Sequence, residues 1–258
     1  MNLGIQNKNA LVCGSSQGIG KAAAIALAEE GANVTLLARN EEALKSVLQE
    51  LPNNNQCHAY LVADFSNPDA VQKTVMDQGA NYHILINNTG GPRSGLIQDA
   101  TSEQFLNAFT MHLLVNQKLS QACLPFMKKE GFGRIVNVIS TSVKEPIPGL
   151  GVSNTIRNAV ANWAKTLSEE VASAGITVNN VLPGFTQTIR LDEIVGIKAQ
   201  KAGTSEAQME EIMKNYVPMK RFAKAEETAA AIAFLASAKA SYITGVNVPV
   251  DGGRTKSL

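Results

Sequence analysis

The stretch from Asn9 to Glu30 limits the possible folds more than any other. An apolar run, Ala10 to Cys13, stops at Gly14; Ser15, Ser16, Gln17, Gly18, Ile19 and Gly20 follow, and an alanine-rich segment of helical period runs from Lys21 to Glu30. Strand, glycine turn and helix in that order make a cradle for a pyrophosphate. Residues without a Cβ let the backbone pass close to a ligand, and the start of a helix offers unsatisfied N–H groups and the positive end of its dipole. The glycine spacing is GxxxGxG rather than GxGxxG, so the glycines alone do not settle what binds.

The rest of the chain repeats the alternation. Apolar β-type runs fall near 9–13, 33–38, 57–62, 82–86, 133–139, 176–182 and 246–249, and segments of helical period near 18–30, 41–50, 68–78, 102–129, 153–174 and 225–237. Strands alternating with helices predict one parallel sheet covered on both faces, with right-handed crossovers and a ligand crevice at the carboxyl ends of the strands. No repeat, low-complexity segment or shift in composition divides the 258 residues, so residues 1–258 read as a single domain.

A formal charge of +1 gives no electrostatic reason to expect nucleic acid or an anionic membrane as partner. The longest apolar stretch, Ala229 to Ala236, is far too short to span a bilayer, and the first residues lack the pattern of a secretory leader. Cys13, Cys57 and Cys123 lack the spacing of a zinc site or a disulfide framework and read as buried thiols in a reducing cytoplasm. No metal is expected. Substrate and cofactor are the expected partners.

Three further motifs lie at predicted strand ends: Asp64 after 57–62, Asn87-Asn88-Thr89-Gly90 after 82–86, and Pro183-Gly184 after 176–182. Together with the glycine turn they resemble the short-chain dehydrogenase/reductase family over nearly the whole chain. The resemblance implies a Rossmann fold, a doubly wound seven-stranded parallel sheet of order 3-2-1-4-5-6-7. It also implies a substrate lid at about 186–218, for which an ordinary surface helical hairpin is the alternative. The segment from Ser241 to Gly245 and on through Asp251-Gly252-Gly253 is similar to the family's tetramer-forming tail, which predicts a homotetramer, with a dimer next.

The same resemblance assigns the cofactor positions. Gly14 to Gly20 would hold the pyrophosphate. Ala38 occupies the position where NAD-binding members carry an acid, and Arg39 follows, so a guanidinium can meet a 2′-phosphate; NADP(H) is expected in preference to NAD(H), with Ser15 and Ser16 adding hydroxyl contacts. Asp64, with Phe65 beside it, would take the adenine amine, or else cap the helix after Pro68. Asn88 and Gly90 would brace and line the adenosine side. Pro183, Gly184 and Thr188 would hold the carboxamide side of the nicotinamide. Cys13 stands where the family usually has threonine, which predicts one weaker internal hydrogen bond.

At the catalytic positions the sequence departs from the family. Ser140 matches the serine after the fifth strand, but thirteen residues on, where the family's tyrosine belongs, stands Ser153; Arg157 stands at the lysine position and His112 at the asparagine position. Positions 153 and 157 are i and i+4 and share a helix face. An aliphatic hydroxyl is a poor acid, and arginine stays protonated, so Arg157 reads as an electrostatic residue that can also hold the nicotinamide ribose, leaving His112 or a water chain as proton source. Arg93, in Gly-Gly-Pro-Arg after the fourth strand, and Lys144, after the fifth, are candidate substrate-binding cations. Ser-Asn-x-x-Arg at 153–157 resembles a divergent bacterial branch of the family.

These features predict an NADP(H)-dependent oxidoreductase that reduces a carbonyl or an activated C=C of a small, anionic substrate with a non-standard proton donor. The alternative is a catalytically silent NADP(H)-binding sensor or scaffold.

Overall fold

A computed structural model describes residues 2–257. Seven strands, β1 (Asn9–Cys13), β2 (Asn33–Ala38), β3 (Ala59–Val62), β4 (Ile84–Asn87), β5 (Gly133–Val138), β6 (Ile176–Pro183) and β7 (Asn247–Val250), form one parallel sheet of order β3-β2-β1-β4-β5-β6-β7. Both faces are covered. On one, α1 (Gly18–Glu29), α2 (Glu41–Glu50) and α9 (Ala225–Leu235) pack through residues such as Leu27, Leu44 and Ile232. On the other lie α3 (Pro68–Asp77), α5 (Val115–Glu130) and α6 (Gly151–Val171), through Val71, Leu119 and Ala164. Burial on both faces explains the nearly continuous apolar runs of the central strands.

The predicted elements are present; one helix, one thiol and one helix cap differ from expectation. The segment expected as one helix over 102–129 is α4 (Ser102–Phe109) and α5 joined by a π-helical turn, Thr110–Leu114, and such an insertion marks a functional position more often than an accident of sequence. The stretch 186–218 contains α7 (Ile189–Ala202) and α8 (Glu206–Asn215), which share a small core of their own built on Leu191, Val195, Met209 and Met213. Cys57 is exposed; only Cys13 and Cys123 are buried. The cap of α3 is Asn67, whose side chain accepts the Ala70 N–H at 3.1 Å, so Asp64 does not cap it. Among the described residues no helix is long and apolar enough to cross a membrane, and no group of three or more histidine, cysteine or acidic residues could hold a metal.

Polar residues interrupt three buried strands, and register explains them. Asn87, Asn137, Asn180 and Asn247 are successive partners across β4, β5, β6 and β7. Each amide donates to the next carbonyl: Asn87 Nδ2 to Asn137 Oδ1 at 2.9 Å, Asn137 Nδ2 to Asn180 Oδ1 at 2.9 Å, and Asn180 Nδ2 to Asn247 Oδ1 at 2.8 Å. At the inner end Asn87 Oδ1 is buried without a donor. Continuing the β1–β4 register by one residue sets Cys13 beside Asn87, on the face that also carries Leu11 and Leu85. A thiol is a weak donor. Cys13→Thr should therefore satisfy the orphaned carbonyl and raise stability by about 1 kcal/mol, read as a higher urea midpoint at unchanged slope.

Candidate active site

The strand order reverses between β1 and β4, and a cleft of about 290 Å³ opens at the carboxyl ends of the strands there. The glycine turn after β1, residues 88–92 after β4, residues 138–140 at the end of β5, residues 183–186 and Thr188 at and after the end of β6, and the first turn of α7 line it, with Ser153 and Arg157 from α6.

The turn after β1 suits a dinucleotide. Gly14 and Gly18 adopt φ of +58° and +56°, where a side chain is strained. A Cβ on Gly14 would come within 2.6 Å of the Asn88 carbonyl oxygen, and one on Gly20 would run into the carbonyl of Gly14. Asn88 fixes the turn from β4: its Nδ2 donates to the carbonyls of Cys13 and Gly14, each at 3.3 Å. The first turn of α1 has no acidic residue, and Gln17 at its cap makes no side-chain bond. No carboxylate therefore competes with a phosphate for that helix end. Gln17, Gly18 and Ile19 line the cleft, as do Gly90, Pro183, Gly184 and Thr188.

Two expected cofactor contacts need correction. Ser15 is completely buried and its Oγ accepts the Leu37 N–H at 3.0 Å, so it ties the turn to β2 and is closed to a phosphate, whereas Ser16 is partly exposed. The Phe65 ring is buried in the core beside Leu11 and Leu37 and presents no side chain to a ligand. Arg39 is exposed beyond the buried Ala38, as a 2′-phosphate site requires. Asp64 accepts the Ser66 N–H at 2.9 Å; chiefly that bond, with the nearby Arg39 charge adding to it, holds its carboxyl below the usual range.

The chemical end of the cleft differs from expectation in which cations it holds. Arg93 is exposed and Lys144 half-buried, and neither lines the cleft. The cation that does, besides Arg157, is Arg190 at the start of α7; its Nη2 donates to the Pro92 carbonyl at 2.9 Å and its Nη1 pairs with Glu193 at 3.0 Å. Arg157 is 8% exposed, donates Nη1 to the Val138 carbonyl at 3.0 Å, and keeps a buried Nε without a partner. Burial lowers its pKa to about 10. Among the described residues lining the cleft, two are arginines and none is an aspartate or glutamate. Ser140 lines it too, its Oγ accepting the Ser142 N–H at 3.1 Å.

His112 is not on the wall of the cleft. The π-helical turn carries it inward, where it is 3% exposed and its Nδ1 is 2.6 Å from Oγ1 of Thr89, which does line the cleft. Burial first, then the positive charge of Arg157, pushes its pKa well below the ordinary histidine range, so the ring is neutral near pH 7 and cannot serve as a pre-charged acid. A depressed histidine pKa means that the unfolded chain binds the extra proton more readily; stability is full above the unfolded value near ~6.5 and is lost as pH falls below it. His83, whose pKa burial also lowers, adds the same sign. Urea unfolding between pH 7 and 5 should lose up to about 1.4 kcal/mol per pH unit for each such group, and His112→Asn should flatten that slope.

Comparisons with known proteins agree with this geometry. The family model described as Enoyl-(Acyl carrier protein) reductase matches residues 14–255. The NADPH-dependent reductase BacG of Bacillus subtilis is 32% identical over 259 residues, covering 98% of this chain and 100% of that protein. The 3-oxoacyl-[acyl-carrier-protein] reductase FabG of Vibrio cholerae is 35% identical over 253 residues, covering 97% of this chain and 98% of FabG. The crystal structure of L-sorbose reductase from Gluconobacter frateurii, complexed with NADPH and L-sorbose, superposes with a TM-score of 0.92 at 29% identity over the full length of both chains. The crystal structure of YwfH, an NADPH-dependent reductase involved in bacilysin biosynthesis, gives a TM-score of 0.92 at 32% identity, covering 98% of this chain and 100% of YwfH. Fold, glycine turn and full-length matches together place this chain in the short-chain dehydrogenase/reductase family.

Proposed function

We propose that this protein is an NADP(H)-dependent reductase acting on a carbonyl or activated C=C of a small anionic acceptor, and that it works as a homotetramer, or failing that a dimer, in the cytoplasm. The glycine turn, with Arg39 and Asp64 at the adenosine end, would hold the dinucleotide, which when bound supplies a hydride to the substrate carbon. The observation that carries the substrate class is the positive charge of the cleft, without an acid at Arg157 and answered at Arg190 only by the exposed Glu193. A buried cation ordinarily has an acid beside it, yet Arg157 has only a backbone carbonyl and an unpaired Nε, and Arg190 is the second cation on the wall. Arg157 and Ser140 would stabilise the oxyanion that forms, while Arg190 receives a carboxylate. Leu150, Phe185 and Ile194 offer an apolar surface to the rest of the acceptor. The helical hairpin of α7 and α8, whose first turn bears Arg190, is the lid.

The test follows NADPH absorbance with an anionic enone, 3-benzoylacrylate, an anionic ketone, phenylglyoxylate, and the methyl ester of each. The acids should be preferred. Arg190→Gln should raise KM for them by about tenfold, the worth of one charge-assisted hydrogen bond, and leave the esters unchanged. Equal turnover of acid and ester would remove the anionic reading, and NADPH binding with no oxidation of any of the four would move weight to the silent binder. Sedimentation showing only a 27.4 kDa species would remove the oligomer.

A further inference from the structure

Two positions where the chain departs from its family touch each other: Thr89 takes the place of the alanine in Asn-Asn-Ala-Gly, His112 that of the catalytic asparagine, and their side chains are hydrogen-bonded at 2.6 Å. We propose that Thr89 Oγ1 delivers the proton to the substrate oxygen and that His112 is the positioning residue that holds and reloads it.

The argument rests on the reductase reading above and answers the question left by the missing tyrosine. Thr89 lines the cleft on the β4 side with Ser140, Ser153 and Arg157 on its other walls. An isolated threonine hydroxyl is as poor an acid as Ser153; a hydroxyl whose oxygen gains a proton while it gives one up never becomes an alkoxide. A neutral ring can give that second proton from one nitrogen while it takes another at the other, because it has one N–H and one lone pair, whereas the charged ring has donors alone. Burial and the adjacent Arg157 charge keep it in that form. With Nδ1–H donating to Oγ1, Thr89's own proton is free to face the cleft. The step then balances: once the substrate carbon has taken its hydride, the Thr89 O–H bond breaks as an O–H bond forms on the substrate oxygen. The His112 Nδ1 proton moves to Oγ1 and Nε2 takes a proton from solvent, and the ring returns to its Nδ1–H form by losing the Nε2 proton and regaining one at Nδ1 before the next turnover. Charge at the substrate oxygen is consumed, and none is left on either residue. Ser153 lines the same cleft one helical turn from Arg157, but among the described residues lining it no histidine or carboxylate adjoins Ser153 to refill its hydroxyl.

Three measurements decide it. In protein labelled with ¹⁵N-histidine, without cofactor, the His112 resonance assigned with His112→Asn should report a neutral ring protonated on Nδ1 at pH 7, an arrangement kept in Thr89→Ser and lost in Thr89→Val. With 3-benzoylacrylate or phenylglyoxylate, Thr89→Val should lower kcat by about a hundredfold at unchanged NADPH affinity, whereas Thr89→Ser stays within about threefold. Rates in H₂O/D₂O mixtures should bow downward in the wild type, as two protons moving together require, and turn linear in Thr89→Val and His112→Asn. A ring protonated on Nε2, or a Thr89→Val enzyme at wild-type rate, would overturn the relay. Inactivity of the wild-type enzyme toward both probes would instead fall on the reductase reading, and the NMR result still judges the hydrogen bond by itself.

Discussion

Replacing Asn137 by alanine is expected to cost about 3–5 kcal/mol, the largest loss from any single change in the sheet that leaves the cleft lining untouched. Asn137 is completely buried and holds two neighbours at once, accepting from Asn87 and donating to Asn180. Without it the Asn87 side chain, whose Oδ1 already has no donor, loses its amide partner as well, and Asn180 keeps a buried acceptor with nothing to accept. Each orphan costs on the order of 1–3 kcal/mol, and a small void adds to that. For a chain of this size the melting temperature should fall by roughly 10 °C. Asn247→Ala is the control. Asn247 ends the ladder on the partly exposed β7, where water can replace the lost bond, so its cost should stay below about 1 kcal/mol. Equal losses from the two changes would show that the ladder does not act through burial.

Replacing Arg157 by methionine should act in opposite directions on rate and stability. Its guanidinium is buried, and burial pushes its pKa down to about 10, well below the ordinary arginine range. That difference is a penalty on the order of 3 kcal/mol at neutral pH, only partly returned by the bond to Val138. A methionine of similar reach removes the penalty and fills the space. Thermal stability at pH 7 should rise by about 1–2 kcal/mol, while kcat with the anionic acceptors falls by about 10²–10³ as the charge facing the developing oxyanion disappears. The pH dependence gives a separate check. A cation whose folded pKa is depressed destabilises the fold by a constant amount until it loses its proton, so this contribution should be flat up to about pH 9 and wild-type stability should gain from it only as pH passes 10, a gain the variant should lack. A variant that is both less active and less stable would mean that Arg157 is part of the packing rather than a charge kept for chemistry.

How far the sequence reveals this site depends on how far apart in the chain its partners lie. The sheet and its order were legible because apolar runs, glycine turns and helical periods are local signals, and because the glycine turn and Asn88 sit at strand ends where a crevice must form. The arginine of the cleft was misassigned for the opposite reason. Arg93 adjoins a lining loop in sequence, but the second lining cation, beside the expected Arg157, is Arg190, which meets Pro92 across 98 positions of chain. Ser15 looked free for a phosphate since hydroxyls in such turns often are; only the approach of Leu37 shows it to be occupied. The asparagines of β4, β5 and β6 stand in otherwise apolar runs, and their meaning depends on a register that no single strand carries. Likewise Thr89 and His112 each read as a lone departure until a π-helical turn brings their side chains together.

The bracing of the glycine turn has a consequence for descent. Asn88 ties the turn to β4, Ser15 ties it to β2, and Gly20 rests on Gly14 itself. None of these ties reaches α6, the helix that bears Ser153 and Arg157. A lineage could therefore exchange residues 153 and 157, and with them its way of moving protons, while the nucleotide it carries stayed the same. The two halves of the cleft can be inherited as separate parts, with the cofactor fixed and the chemistry free to change.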